Sequence, residues 1–241
     1  NCTNCGPRFS ICVSLPWDRA RTTMAGFELC AACRREHDDM AARRFHAEVI
    51  ACPACGPTLC VSPETPEGTA IEAVARALEA GAIVALKGLG GFNLLVDATN
   101  EDAVQRLRRR KHRPEKPLAL IARDLAVVRS YCHVSDAERA ALTSAAAPIV
   151  LLRARADLAP AVAPLQPGAA TTYGFMLPST PLHLLLLQSF STPLVCTSGN
   201  RSGEPQAIDD ADARARLAGI ADWFVGHDRA IQHRTDDSVI R

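Results

Sequence analysis

The chain lacks a strong excess of either charge. Lys and Arg number 27 against 26 Asp and Glu, a formal net charge of +1 over 241 residues. This balance alone implies no nucleic-acid partner, because sequence-independent binding rests on clustered cations. The chain also lacks a long apolar run. The strongest, Leu184–Leu187 with its neighbours, is far short of the ~20 residues that cross a bilayer. No membrane partner is therefore expected. Residues 1–15 lack a basic start followed by an apolar core, so no secretory signal is expected. Low-complexity segments are missing as well. With many unpaired thiols, these absences point to a reducing cytoplasm.

Cysteine, by contrast, is plentiful. Six of the 10 cysteines form three Cys-x-x-Cys pairs: Cys2/Cys5, Cys30/Cys33 and Cys52/Cys55. Such a knuckle presents two thiolates to one metal, and two knuckles complete a tetrahedral zinc site. A disulfide framework is the competing reading. It suits small secreted domains, whereas this chain is long enough for a hydrophobic core. Cys30, Cys33, Cys52 and Cys55, separated by 18 residues, are expected to hold one Zn²⁺. Cys2 and Cys5 are metal-ligand candidates without a partner pair, expected to bind weakly or not at all here. The count suggests a fragment whose first knuckle lies upstream of Asn1. Cys12, Cys60, Cys132 and Cys196 read as small apolar residues rather than nucleophiles. In the repeated CxxCGP element, Gly after the second Cys is expected to supply a positive φ.

The pattern changes near residue 65. Residues 1–62 are rich in Cys, Arg and His, and 62–68 (SPETPEG) reads as a linker. From residue 66 helices and short strands alternate. Thr69-x-x-Glu72 and Ser135-x-x-Glu138 look like capping boxes. A helix is expected near Glu101–Arg110. Strands are expected at Ala82–Leu86, Leu94–Ala98, Leu118–Ala122, Ile149–Leu152, Leu194–Thr197 and Trp223–Val225. This is a layered α/β (α+β) domain behind a small Cys-rich domain.

Four clusters could carry chemistry. Lys87-Gly88-Leu89-Gly90-Gly91 follows a strand and could bring backbone N–H groups to a phosphate; a plain turn explains it equally. It is neither a P-loop nor a dinucleotide fingerprint. Lys111-x-Arg113-x-x-Lys116 stands in a stretch kept extended by Pro114 and Pro117, so Lys111 and Arg113 would share a face and grip a polyphosphate. A solvated basic run is the alternative. Thr197-Ser198-Gly199-Asn200 follows a buried strand, where hydroxyls and an amide suit a nucleotide or a generic turn. His227-Asp228-Arg229 through Arg234-x-Asp236-Asp237 is either a binding wall or a salt-bridged loop, and its two Asp could hold Mg²⁺ through water.

In their order, these motifs resemble one family. CxxCGPRF, CxxC, CxxCGP, KGLGGF, KxRxxKPLA, MLPSTPLH, TSGN and HDRxIxxRxDDSV look like the HypF carbamoyltransferases that mature nickel–iron hydrogenases. The resemblance spans essentially the whole chain. It implies a zinc-finger-like region over 1–62, missing the first of four CxxC pairs, and a YrdC-like twisted-sheet domain over 66–241. An acylphosphatase-like domain upstream and a Kae1-like domain downstream would be absent. The family forms carbamoyl-adenylate from ATP and carbamate drawn from carbamoyl phosphate, then passes the carbamoyl group to the C-terminal Cys of HypE. Lys87, Lys111, Arg113 and Lys116 match its basic positions. Gly90, Thr197, Ser198, Asn200 and Arg234 match its nucleotide-binding motifs. ATP, as its Mg²⁺ complex, would be the nucleotide. His183 and His227 also lie in matching motifs, with a packed role favoured for His183. Asn93 departs from the family's usual His, Ser179 from a frequent Tyr, and Gln206 from an aliphatic residue. A second reading is an RNA-binding or threonylcarbamoyl-adenylate synthase-like module for tRNA modification, with weak RNA binding along Arg106–Arg113. A third is a zinc platform that docks HypE.

Overall fold

The computed structural model describes residues 2–66, 69–155, 162 and 171–241. Nine strands form one mixed sheet: β1 (Leu59–Ser62), β2 (Val84–Lys87), β3 (Phe92–Asp97), β4 (Leu120–Ile121), β5 (Ile149–Arg153), β6 (Thr172–Met176), β7 (Leu194–Ser198), β8 (Trp223–His227) and β9 (Val239–Ile240). Their spatial order is β1-β8-β2-β3-β7-β4-β6-β5-β9. Six expected strands are present with ends shifted by a few residues. β1, β6 and β9 were not expected.

Strand alternation divides the core. In β2, Val84 and Leu86 join one apolar cluster while Ile83, just before the strand, and Ala85 join the other. In β3, Leu95 faces one way and Leu94 and Val96 the other. Period-two alternation of this kind buries both faces of a sheet, so the strands read as continuous apolar runs. Helices α3 (Ala70–Glu79) and α7 (Pro181–Leu187) cover the first face with Val74, Leu78, Leu186 and Leu187. Helices α4 (Glu101–Lys111), α5 (Leu125–Tyr131), α6 (Asp136–Leu142) and α8 (Asp210–Leu217) cover the second with Val104, Leu107, Val128, Leu142 and Leu217. Each such side chain, fully buried, contributes about 1.5–3 kcal/mol.

The caps are local and mostly legible. Ser135 and Glu138 form both reciprocal bonds of a capping box. The Thr69 box does not form: its hydroxyl instead donates to Pro66 O at 2.8 Å. α4 starts at Asn100, whose side chain accepts from Ala103 N at 3.0 Å, and ends in four basic residues beside its negative pole.

The Cys-rich segment carries α1 (Gly6–Ile11) and α2 (Ala31–Asp38). Arg19 holds its loops together. One Nη donates to Glu48 O at 2.8 Å and Ile50 O at 2.9 Å, while Nε and the other Nη donate to Phe27 O. The segment is tied to the sheet domain. β1 pairs antiparallel with β8, Gln232 N donates to Ser10 O at 2.6 Å, and Phe9 stacks on His233 with ring centroids 4.7 Å apart. No helix among the described residues is long and apolar enough to cross a membrane.

Candidate active site and metal centre

The Cys30, Cys33, Cys52 and Cys55 sulfurs all lie within 4.8 Å of one another. Cys30 to Cys52 and Cys52 to Cys55 are both 3.7 Å. Four sulfurs tetrahedral about zinc at ~2.3 Å would stand ~3.8 Å apart, so the set fits the ion in number, chemistry and spacing. Local structure prepares it. Cys30 caps α2, its Sγ accepting from Cys33 N at 3.5 Å. Burial pushes the Cys33 thiol up to about 12, while bonds from the Cys30 and Cys52 backbones draw Cys55 down to about 6. Cys2 and Cys5 are not in this group. Nor does Gly56 supply a positive φ. Its role is close packing, since a Cβ there would stand 2.9 Å from the Ala51 methyl and 3.0 Å from Cys52 O.

On the sheet, a cleft of about 430 Å³ is lined by Asn93 of β3, Thr197 and Ser198 of β7, Ile149 and Leu151 of β5, and Arg113. Asp236 and Asp237 line it too. The α4 terminus delivers the basic residues, but not in the expected geometry. Lys111 is the last residue of the helix, and His112 turns the chain in the left-handed conformation with φ of 55°. Lys111 and Arg113 are therefore not neighbours on one extended face. Lys111 is fully buried. Its Nζ donates to Ser198 O at 2.5 Å, Asn200 O at 2.7 Å and Asn200 Oδ1 at 2.6 Å. The ammonium pins the turn after β7 from behind. Burial, with a smaller effect of the Arg113 charge, pushes Lys111 down to about 7.

Ser198 Oγ donates to the same Asn200 Oδ1 at 2.7 Å, and Asn200 Nδ2 donates to Glu204 O. Arg113 keeps donors to spare: one Nη donates to Pro117 O at 2.9 Å, while its buried Nε has no partner among the described residues. Burial lowers its pKa. The loop carrying it is stapled by a residue of the basic run that the sequence left open as a solvated run or an RNA footprint. Arg108 is buried, and its Nη1 donates to the carbonyls of Arg113, Pro114 and Lys116 at 3.0–3.1 Å. Only its position on the apolar side of α4, four residues after Val104, could have signalled this.

The other candidates do not line the cleft. Lys87 is buried and paired with Asp210 at 2.5 Å, and it also donates to His227 O at 2.9 Å. Lys116 is exposed. Gly90 accepts from Thr235 N at 3.1 Å and packs against that residue too closely for any side chain. Arg234 Nε donates to Gln206 O at 2.6 Å. His183 is packed as expected, with neither ring nitrogen partnered among the described residues, and burial lowers it to about 4.

The RNA reading loses its footprint. Arg106 donates to Gly81 O, Arg110 pairs with Asp222 at 2.6 Å, and Arg108 and Lys111 are buried. Arg110 is neutralised, Arg106 is engaged by a carbonyl, and Arg108 and Lys111 are turned inward, which leaves Arg109 exposed and no continuous phosphate-binding face along the helix.

Comparison with known proteins accords with this geometry. A family model for the HypF finger matches residues 29–61, and the Sua5/YciO/YrdC model, described as telomere recombination, matches 76–241. The carbamoyltransferase HypF of Rhodobacter capsulatus is 57% identical over 243 residues, covering 100% of this chain and 32% of that protein. A crystal structure of full-length HypF in a phosphate- and nucleotide-bound form superposes with a TM-score of 0.92 at 46% identity, covering 99% of this chain and 31% of that one. The threonylcarbamoyl-AMP synthase of Chromohalobacter salexigens is 34% identical over 145 residues, covering 58% of this chain and 75% of that protein. This chain thus spans about a third of the HypF relatives it matches. A finger of four clustered thiols joined to a twisted sheet with a cleft beside its Lys111–Arg113 and Thr197–Asn200 segments places the chain in the Sua5/YciO/YrdC family, in the form that HypF proteins carry behind a HypF finger.

Proposed function

We propose that the cleft binds ATP and joins carbamate to its α-phosphate, as the adenylating part of a carbamoyltransferase. The observation that carries this reading is Arg113, a guanidinium with unused donors in a cleft also lined by Thr197 and Ser198. In the reaction a carbamate oxygen bonds to the α-phosphorus, the bond to the β-phosphate oxygen breaks, and pyrophosphate leaves. Charge builds on the phosphates, so fixed donors matter more than a general base. Arg113 faces the phosphates. Ser198 and the turn through Asn200 hold the nucleotide. Lys111 orders that turn without touching the phosphates. Asp236 and Asp237 would hold the Mg²⁺ of the nucleotide, which would offset charge on the phosphates. A thiolate, the C-terminal Cys of a HypE-like acceptor, then bonds to the carbamoyl carbon, the bond from that carbon to the phosphate oxygen breaks, and AMP leaves. Residues 1–62 act as a zinc-bound module and 66–241 as the adenylating domain, in a reducing cytoplasm that keeps the thiols free. The names of two kinds of relative, carbamoyltransferase and threonylcarbamoyl-AMP synthase, fit a shared adenylate chemistry.

Calorimetry and pyrophosphate release test this reading. Arg113→Ala should weaken ATP binding by about 1.5–3 kcal/mol, the range for hydrogen bonds to charged groups. Carbamate from a bicarbonate and ammonium buffer should support slow pyrophosphate release. Carbamoyl phosphate should not, because its breakdown is assigned to regions outside this chain. Unchanged ATP affinity in folded Arg113→Ala protein, or efficient turnover of carbamoyl phosphate, would overturn the assignment.

A further inference from the structure

A second cavity, of about 580 Å³, shares no lining residue with the cleft. It lies where the Cys-rich segment meets the sheet domain. Pro7 and Pro57 wall it from the first, and Leu182 and Leu185 of α7 from the second. This volume falls within the range of small-molecule sites. Its walls are mostly apolar, but Lys87, His227 and Arg229 enter at one end.

The charges at that end do not cancel. Lys87 is matched by Asp210 at 2.5 Å. Arg229 is half-buried, its Nε is fully buried, and its side chain makes no hydrogen bond or ion pair with any described residue. The His227 Nδ1 beside it is likewise buried without a partner. Burial, reinforced by the charges of Arg229 and Lys87, lowers His227 to about 4, so the ring is neutral near pH 7. One uncompensated guanidinium remains at the end of an apolar chamber. Leaving such a group unpaired is costly, and a ligand that supplies one negative charge removes the cost. A phosphate dianion would bring a second charge toward Asp210 with no cation to match it. A carboxylate matches both the single charge and the planar fork of the guanidinium.

We propose that this cavity binds a small monocarboxylate with an apolar body, its carboxylate on Arg229 and its hydrocarbon among Leu59, Leu89, Leu182 and Leu185. The neutral His227 ring can donate a further hydrogen bond from one nitrogen. Contacts from both sides of the junction mean that such a ligand would fasten the Cys-rich segment to the sheet domain.

The test uses the whole zinc-loaded chain with hexanoate, 3-phenylpropionate and their primary amides as probes, titrated by calorimetry. The carboxylates should bind at least tenfold more tightly than the amides, and saturating ATP should not displace them. Arg229→Gln should abolish the preference for carboxylate over amide. Leu185→Glu, at a residue 50% exposed and so tolerant of change, should place a like charge on the wall and weaken the carboxylates tenfold or more. Equal affinity for acid and amide, displacement by ATP, or no binding of either acid would overturn the proposal. ATP binding at the cleft is read separately, so failure here leaves that reading standing.

Discussion

Replacing Lys111 with Met separates two opposing effects at one buried amine. Three oxygens accept from Nζ at 2.5–2.7 Å, two of them backbone carbonyls that bind the turn after β7. Removing the donor leaves Asn200 O without its partner, at about 1–3 kcal/mol, while Ser198 O keeps Asn200 N at 3.0 Å and Asn200 Oδ1 keeps Ser198 Oγ at 2.7 Å. Against this stands the cost of burying an ammonium. Burial lowers the group from 10.5 to about 7, so between these values the unfolded chain holds a proton that the folded chain has released. Stability from this group therefore rises with pH across that window and is lost as pH falls toward 7. From pH 7 to 9 the rise is about 2 kcal/mol at 1.36 kcal/mol per unit, less the part already released at pH 7. Urea denaturation of both proteins at pH 7, 8 and 9 measures it, because the difference between them cancels titrations they share. The Lys111→Met penalty should grow by about 2 kcal/mol from pH 7 to 9, and ATP affinity should fall at least tenfold as the turn loosens. A penalty that stays constant with pH would show that the three acceptors hold the proton in place, which would refute the reasoning.

Further consequences can be checked directly. Purified chain should contain one zinc, held by about 10 kcal/mol or more at neutral pH; Cys52→Ser should lose it and Cys2→Ser should keep it, as elemental analysis would show. Arg108→Met should cost about 3 kcal/mol by urea denaturation, since three loop carbonyls lose their donor, and should weaken ATP binding through the displaced Arg113; an unaltered midpoint would show that the loop needs no staple. His183 is buried neutral, with its pKa lowered from 6.5 to about 4, so stability should fall by up to about 3 kcal/mol as pH drops through that interval. His183→Leu should flatten this part of the thermal-denaturation profile, and an unchanged slope would assign it to other groups.

The readable parts of this sequence were those whose chemistry is local. The paired thiols announced a tetrahedral site because two CxxC knuckles carry their geometry with them. Ser135 and Glu138 needed only each other. β9 could not be read: Val239 and Ile240 are 59% and 40% exposed, and two residues show no alternation. β1 lay in a segment that looked like the tail of the cysteine region, and only pairing with β8, more than 160 residues away, makes it a strand. The basic run misled for a related reason. Charge pattern suggests exposure, but Arg108 and Lys111 face inward because carbonyls from the 113–117 loop and the Ser198–Asn200 turn meet them there. Those acceptors come from tertiary structure and leave no trace in the spacing of lysines and arginines. The same gap separated Lys87 from the cleft, since its partner Asp210 is 123 residues away.

The placement of β9 sets an order of events during synthesis. Val239 lines the cleft and pairs with Ile149 of β5, Asp236 and Asp237 line it as well, and Thr235 bonds to Gly90. A nascent chain that has displayed its cysteine knuckles and most of its strands still lacks one wall of its nucleotide-sized cleft. The wall closes only after residues 235–240 have left the ribosome and found partners made long before. Such distant pairings form late because loop closure must precede any contact that rewards it. The zinc module, whose thiols span only 26 positions, can be complete while the cleft is still open to solvent.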